Sequence, residues 1–400
     1  MSQNTQIESD IEALSLEELT SNGEGAGLEV EPGDVPVAPF DPAKIDVITQ
    51  ARTIDLLLTR LREGELDLSP DFQRRSNLWN LPRKSSLIES ILLRIPIPSL
   101  YVSEDKDGNY SVVDGLQRIC AIAHFIDASA LNHALNIDLP PLELTGLESL
   151  EEYNECVFQD LPRPLQRRIN ETELTLHVIR ASTPADVKFN IFSRINQGGL
   201  PLTPQEIRNA IYPGEWRTRV RRLAESDEFL QATEHKVKIE RMGDIELALR
   251  FVAHYTLERD DSRPEDQNLD TFLNDTIESR TPHWSEHDWE SIEQAFFRAM
   301  EYAPQIFGRI TFRKYSAPWE PRRPINRGLF EAESLAVAAR APEELQELAE
   351  KSETVVEKFR IVFERDRDFQ NALLYATGRG GPTNKRIETI NNVLSEALLA

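Results

Sequence analysis

The segment Tyr110–Ile126 limits the fold more than any other stretch of the chain. Tyr110 to Val113 is a β-prone run that passes directly into Asp114-Gly115-Leu116-Gln117-Arg118, after which Ile119, Ile122, Ala123 and Ile126 recur at i, i+3, i+4 and i+7. A strand, a glycine turn and a helix N-terminus must therefore meet within a few residues. Just upstream, Asp107-Gly108-Asn109 separates this run from another at Leu100–Ser103, which predicts a hairpin. Free N–H groups at such a helix start, the positive end of the macrodipole and Arg118 in the first turn together favour an anion, phosphate first.

The flanking sequence extends this pattern. Ile54, Leu57, Leu58 and Leu61 form a helical stripe that ends at Gly64, and Leu66–Leu68 reads as a strand. Pro70-Asp71-Phe72-Gln73-Arg74-Arg75 is a polar loop leading into Trp79, and Lys84–Leu93 is a helix stopped by Pro96 and Pro98. Further on, Thr183-Pro184-Ala185-Asp186 and Thr203-Pro204-Gln205-Glu206 are two helix-start signals: a capping hydroxyl, proline at the first helical position and a carboxylate in the first turn. They bracket the polar loop Arg194-Ile195-Asn196-Gln197-Gly198-Gly199, which is thus held between rigid supports. Past residue 215 the chain reads as helical, with apolar three-to-four spacing in 244–257, 286–302, 328–340, 343–363 and 384–398. The expected fold class is α+β. An acidic disordered tail occupies 1–45, a domain with a small sheet 46–180, and a mostly helical domain 181–400.

Charge sets the partners. The formal net charge is −23, yet residues 1–45 hold ten carboxylates and one lysine, so −9 belongs to the tail and −14 to the other 355 residues. Holding nucleic acid by a bulk positive field is excluded; a local basic groove is not. The stretch Arg309, Arg313, Lys314, Arg322, Arg323 and Arg327, interleaved with Phe312, Tyr315 and Trp319, is the best such groove, and its DNA-binding candidates are Arg313, Lys314, Arg322, Arg323 and Arg327. The alternative is a linker whose arginines pair with the protein's own carboxylates. Two cysteines, Cys120 and Cys156, cannot build a disulfide scaffold, and no apolar run approaches the ~18 residues of a membrane span, so a cytoplasmic protein without membrane contact is expected. His283 and His287 are four apart, but Ser285 with Asp288 reads as a helix cap that leaves His283 outside the helix, so no metal site is assigned.

Three polar clusters remain: Gln73-Arg74, Asp114 to Arg118, and Arg194 to Gly199. Singly, each is an ordinary turn, solvated arginine or helix stop. Together they offer Gln, Arg and Asn donors suited to phosphate oxygens and base edges, and in Asp114 an acceptor for a metal ion or an attacking water.

In their order along the chain these clusters resemble the N-terminal domain of the GmrSD type IV restriction endonucleases, a family similar in fold to ParB and sulfiredoxin. The resemblance starts with Gln73-Arg74 and Trp79. It continues through Leu87-Ile88-Glu89-Ser90-Ile91, Ile95-Pro96-Ile97-Pro98 and Val113 to Arg118, then Phe192 to Gly199 and Glu206 to Ala210. Asp244 to Phe251 and Ile325 to Ala332 complete it. It implies a nucleoside-triphosphate-binding domain, often hydrolysing and with Mg2+ as a candidate companion, that controls DNA cleavage in defence against phage. By position, Asp114, Gly115, Gln117 and Arg118 fall on the family's Asp-Gly-Gln-Gln-Arg signature and Gln73 and Arg74 on its Gln-Arg motif. Asp114, Gln117 and Arg118 are then the catalytic candidates, and Gln73, Arg74, Gly115, Arg194 and Asn196 the nucleotide-binding ones. Leu116 departs from the signature's first Gln, which puts hydrolysis in question more than binding. The family's HNH nuclease module needs a His cluster near the C-terminus; His287 is the last histidine, so a separate nuclease partner or a regulatory role is implied. Sulfiredoxin-type chemistry needs a reactive cysteine beside the phosphate-binding arginine, whereas Cys120 falls two residues after Arg118, next to the buried stripe, and reads as a core thiol. The rival expectation is a ParB-like DNA-binding or adaptor module without turnover.

Overall fold

The computed structural model describes residues 28–29, 44–68, 79–195, 203–212, 214–237, 239–257, 263–374 and 378–400, without the side chains of 185–186, 193–195 and 240. It separates into two compact units, 38–213, and 214–400 together with 1–37. The fold is α+β: a small sheet in the first unit and helices in the second. The boundary falls at 213/214 instead of 180/181 because the helix pair expected to open the helical domain packs on the sheet. Of the expected tail, residues 1–27 and 30–43 lie outside the described residues, while Leu28 and Glu29 are ordered against Ile325.

The first unit contains β1 (Val47–Thr53), α1 (Ile54–Arg62), β2 (Leu66–Asp67), α2 (Leu81–Leu92), β3 (Leu100–Glu104), β4 (Tyr110–Asp114), α3 (Leu116–Ile126) and α4 (Ala128–Leu135). After these come α5 (Arg163–Glu171), β5 (Glu173–Ile179), α6 (Ala185–Ile195) and α7 (Pro204–Ile211). The sheet runs β1-β5-β3-β4-β2. β1 pairs antiparallel with β5 from Val47↔Ile179 to Thr53↔Glu173, β3 lies parallel to β5, the predicted hairpin is the antiparallel β3–β4 pair, and β2 is parallel to β4. β1 and β5 were not anticipated. Leu174, Leu176 and Val178 alternate into the core as a half-buried strand should, whereas β1 is a polar edge strand with only Ile48 packed inward.

Local chemistry sets the helix starts. Thr53 Oγ1 accepts from Leu56 N at 3.3 Å, and α1 buries Ile54, Leu57, Leu58 and Leu61. α2 begins three residues earlier than its apolar pattern because Asn80 Oδ1 caps Arg83 N at 3.1 Å and Pro82 suits the first turn. Thr203 and Glu206 close a full capping box on α7, with Thr203 N donating to Glu206 Oε2 at 2.7 Å. Inward residues of β3, β4 and β5 meet α1, α2 and α3 in one apolar cluster that includes Leu100, Val102, Val112, Leu176, Ile88 and Ile122. Lys188 of α6 donates to Ser103 Oγ and to the Glu104 carbonyl, each at 3.2 Å, which fastens the helix pair to the sheet unit.

The second unit holds α8 (Trp216–Ala224), α9 (Asp227–Ala232), α10 (Gly243–Tyr255), α11 (Leu269–Asp275), α12 (Glu286–Phe307), α13 (Arg327–Ala338), α14 (Pro342–Glu350), α15 (Ser352–Arg365), α16 (Arg367–Leu374) and α17 (Gly380–Leu398). The single helix expected over 343–363 is two, broken at Lys351. Ser285 caps α12 and leaves His283 in the preceding turn, as its spacing suggested. Among the described residues no helix is long and apolar enough to cross a membrane.

The core of this unit is crossed by ion pairs. Glu331 of α13, 1% exposed, accepts from Arg250 NH1 of α10 at 2.8 Å and from Arg386 NH2 of α17 at 3.0 Å. Arg250 also donates to Glu246 through Nε at 2.9 Å, and Arg386 to the Ala372 carbonyl at 2.8 Å. Gly328 has to be glycine, because a Cβ there would lie 2.6 Å from Arg386 Nε. Burial alone would raise the Glu331 carboxyl, but the two guanidiniums hold it at about 2. Removing one partner of such a buried pair strands the others, so Glu331→Ala should cost about 3–5 kcal/mol in denaturant unfolding. The carboxyl lies below its unfolded range. Its contribution is therefore present above about pH 4.5 and should fade as pH falls toward 2, a slope that Glu331→Gln should flatten in acid titrations.

Candidate functional site

The junction foreseen in the sequence forms where β4 ends at Asp114. Gly115 sits at φ +95°, a left-handed conformation, and a Cβ built there would lie 2.2 Å from Leu100 Cδ2, so backbone and packing both demand glycine. Among the described residues no side chain caps α3, and its first-turn N–H groups keep the character of an anion-facing helix start. Leu116, where the resembling family carries Gln, packs against the apolar cluster. Gly115→Ala should cost about 3 kcal/mol, summing left-handed strain and overpacking, and lower the thermal midpoint accordingly.

Arg118 organises the junction. Its NH2 donates to Asp114 Oδ2 at 2.6 Å, and its NH1 donates to the carbonyls of Pro98 at 2.5 Å and Ser99 at 3.1 Å. One side chain thus ties the helix start to the end of β4 and the beginning of β3. Its exposure is 13%, against 39% for Asp114, so the pair lies at the rim of the unit with the carboxylate outward. Nε and the second NH2 proton make no hydrogen bond among the described residues. Gln117 Oε1 accepts from Trp79 N at 3.0 Å, which points its amide NH2 group away from that contact. Trp79 closes the segment that carries Gln73 and Arg74, so the described end of that loop is anchored to the signature helix. Gln73, Arg74 and Asn196 lie outside the described residues, as does the side chain of Arg194 at the end of α6.

At the far end of α3 from the junction is a buried group that sequence reasoning missed. Lys84 Nζ donates to His124 Nδ1 at 3.0 Å while His124 Nε2 donates to the Pro140 carbonyl at 2.8 Å. Lys84 and His124 are 4% and 3% exposed, and burial lowers both their pKa values. Cys120 lies on the same inner side of α3, where burial pushes its thiol up to about 12 despite the nearby lysine. A thiol so placed is not a nucleophile, in keeping with the core reading of that residue. A lysine inside the 84–93 helical pattern was the available signal, but only the fold shows that it points inward.

The basic stretch of the second unit is largely committed to internal acceptors. Arg313, 3% exposed, donates to the Arg323 carbonyl at 2.7 Å and faces Glu234. Arg322 pairs with Glu234, Lys314 with Glu29, and Arg327 with Glu246. Arg309 braces the turn at Ala317–Glu320 through both carbonyls, and that turn displays Trp319, 85% exposed. Arg323 is the candidate whose side chain is exposed and unpaired among the described residues.

Residues 55–213 match the family model described as GmrSD restriction endonuclease, N-terminal domain. The match ends where the first compact unit ends, so the resemblance carried by the Gln-Arg and Asp-Gly-Leu-Gln-Arg motifs holds for that unit. No curated protein matches the chain, and no solved structure does.

Proposed function

We propose that the chain is a component of a restriction or anti-phage defence system whose first unit binds a nucleoside triphosphate at the β4–α3 junction, with cleavage left to a separate nuclease. The match of 55–213 to the restriction-endonuclease N-terminal domain supports the setting. The observation that carries the site is the uncapped start of α3 behind Gly115, flanked by a guanidinium and a carboxamide. Main-chain N–H groups, the Gln117 NH2 and the remaining Arg118 donors would share the phosphate oxygens. Asp114, the junction's outward carboxylate, would lose its short contact to Arg118 as phosphate takes over that donor. It would then be free to accept from water or to supply one oxygen to Mg2+ arriving with the phosphates.

A second reading has its own support. Arg118 already satisfies three acceptors of its own chain, which is what a structural clamp in an adaptor or DNA-binding module without turnover would do. Calorimetry with a panel of nucleoside triphosphates separates the two. Gln117→Ala gives up, among the described residues, the contact to Trp79 N and should weaken nucleotide binding about tenfold, and Arg118→Ala should weaken it about a hundredfold or more. Unchanged affinity in both variants, or a wild-type protein that binds no triphosphate, would leave the clamp reading standing. Asp114→Asn should keep binding and lose phosphate release if the domain hydrolyses its ligand.

A further inference from the structure

Within the second unit, Ile325 lies between two bridging partners. Arg313 faces it antiparallel on one side, and Leu28, from the acidic N-terminal segment, faces it parallel on the other. Glu29 completes the contact in four ways: its N–H donates to the Ile325 carbonyl at 2.8 Å, its carbonyl accepts from Arg327 NH1 at 2.5 Å, one carboxylate oxygen accepts from Asn326 Nδ2 at 2.7 Å, and the other accepts from Lys314 Nζ.

The receiving side is preorganised. Asn326 Oδ1 caps α13 by accepting from Leu329 N at 2.9 Å, which fixes the amide so that its NH2 group points to Glu29. Asn326 N is itself tied to the Phe312 carbonyl at 2.8 Å. Arg327 is held on its other edge by Glu246, the carboxylate that also binds Arg250 of the core network. Main-chain pairing with one specific carboxylate is how an extended peptide is read; a nucleic-acid phosphate could accept from Arg327 but has no N–H to donate to the Ile325 carbonyl.

We propose that Lys314, Ile325, Asn326 and Arg327 form a receptor for an extended, glutamate-bearing peptide, occupied in cis by Leu28–Glu29. The occupant is exchangeable. Glu29 keeps 23% side-chain exposure and Lys314 16%, so their ion pair is mostly buried but reaches solvent at its edge, where a competing carboxylate can enter. While it is seated, the atoms of Lys314 and Arg327 that meet Glu29 are unavailable to any other anion, and Leu28–Glu29 is held against the basic 309–327 stretch. Release therefore uncovers two cations beside Trp319 and Arg323 on the same stretch of chain. This inference does not depend on nucleotide binding by the first unit.

The test uses the full chain and a labelled synthetic peptide spanning residues 20–38. Binding measured by fluorescence anisotropy should be about tenfold tighter to the Glu29→Ala protein than to wild type, because the cis competitor has lost its carboxylate. In that background Lys314→Glu should abolish binding. Lys314→Met, which keeps the stem and removes the charge, should weaken it about tenfold, and a peptide carrying Glu29→Ala should not bind. Equal affinity for wild type and Glu29→Ala, or binding indifferent to both Lys314 variants, overturns the proposal. So does a single-stranded DNA oligonucleotide that responds to these substitutions while the peptide does not, since that outcome assigns the site to phosphate.

Discussion

The first unit depends on the way Arg118 closes the junction between β4 and α3. Gly115 lets the chain turn within one residue, but a left-handed glycine by itself leaves a hinge. Arg118 removes the hinge by binding Asp114 across the turn and two carbonyls in front of β3. Those carbonyls are exposed to it because Pro96 and Pro98 keep their segment out of the β ladder. The same guanidinium is the strongest anion donor of the junction, so under the proposed function structure and binding would draw on one side chain. A ligand that recruits it must compete with three internal acceptors, which makes the Asp114–Arg118 pair a natural point for coupling ligand to the geometry of the sheet.

The second unit uses an analogous device in a drier setting. Glu331 joins α10, α13 and α17 through Arg250 and Arg386, all fully buried. A buried pair of this kind adds little net stability over an apolar packing but is costly to leave half-made, so it penalises any other register of those helices. Glu246 and Arg327 extend the network outward to Asn326 and Glu29, and it ends at the peptide contact. The chain's large acidic excess thus has a local use. Glu29, Glu234 and Glu246 neutralise cations that composition alone suggested for DNA, in line with the alternative in which the arginines serve the protein's own carboxylates.

Much of this was legible before the coordinates. The hairpin, α1, α3, the α7 capping box and the Ser285 cap rest on short-range rules, and the structure repeats them. The family resemblance rested on ordered motifs and is found for the unit that carries most of them. β5 could have been read from its alternation, whereas β1, a polar edge strand, carries almost no apolar signal. The compact units divide at 213/214, past the 180 expected for the domain, because two well-capped helices look like the opening of a helical domain while Lys188 reaches the hairpin.

By itself the sequence determined the elements whose causes lie within a few residues: caps, turns, stripes and the glycine between Asp114 and Leu116. Only the tertiary structure decided what the charged residues do. Arg250 and Glu331 stand 81 positions apart, Arg386 a further 55, and Glu29 lies 297 positions from the Asn326 that receives it. Charge in a sequence says that a partner is needed, but long-range pairing is selected by the packing of elements that bring the groups out of water together. Which arginine becomes a clamp, which a core ion pair and which a peptide receptor is therefore a property of the fold.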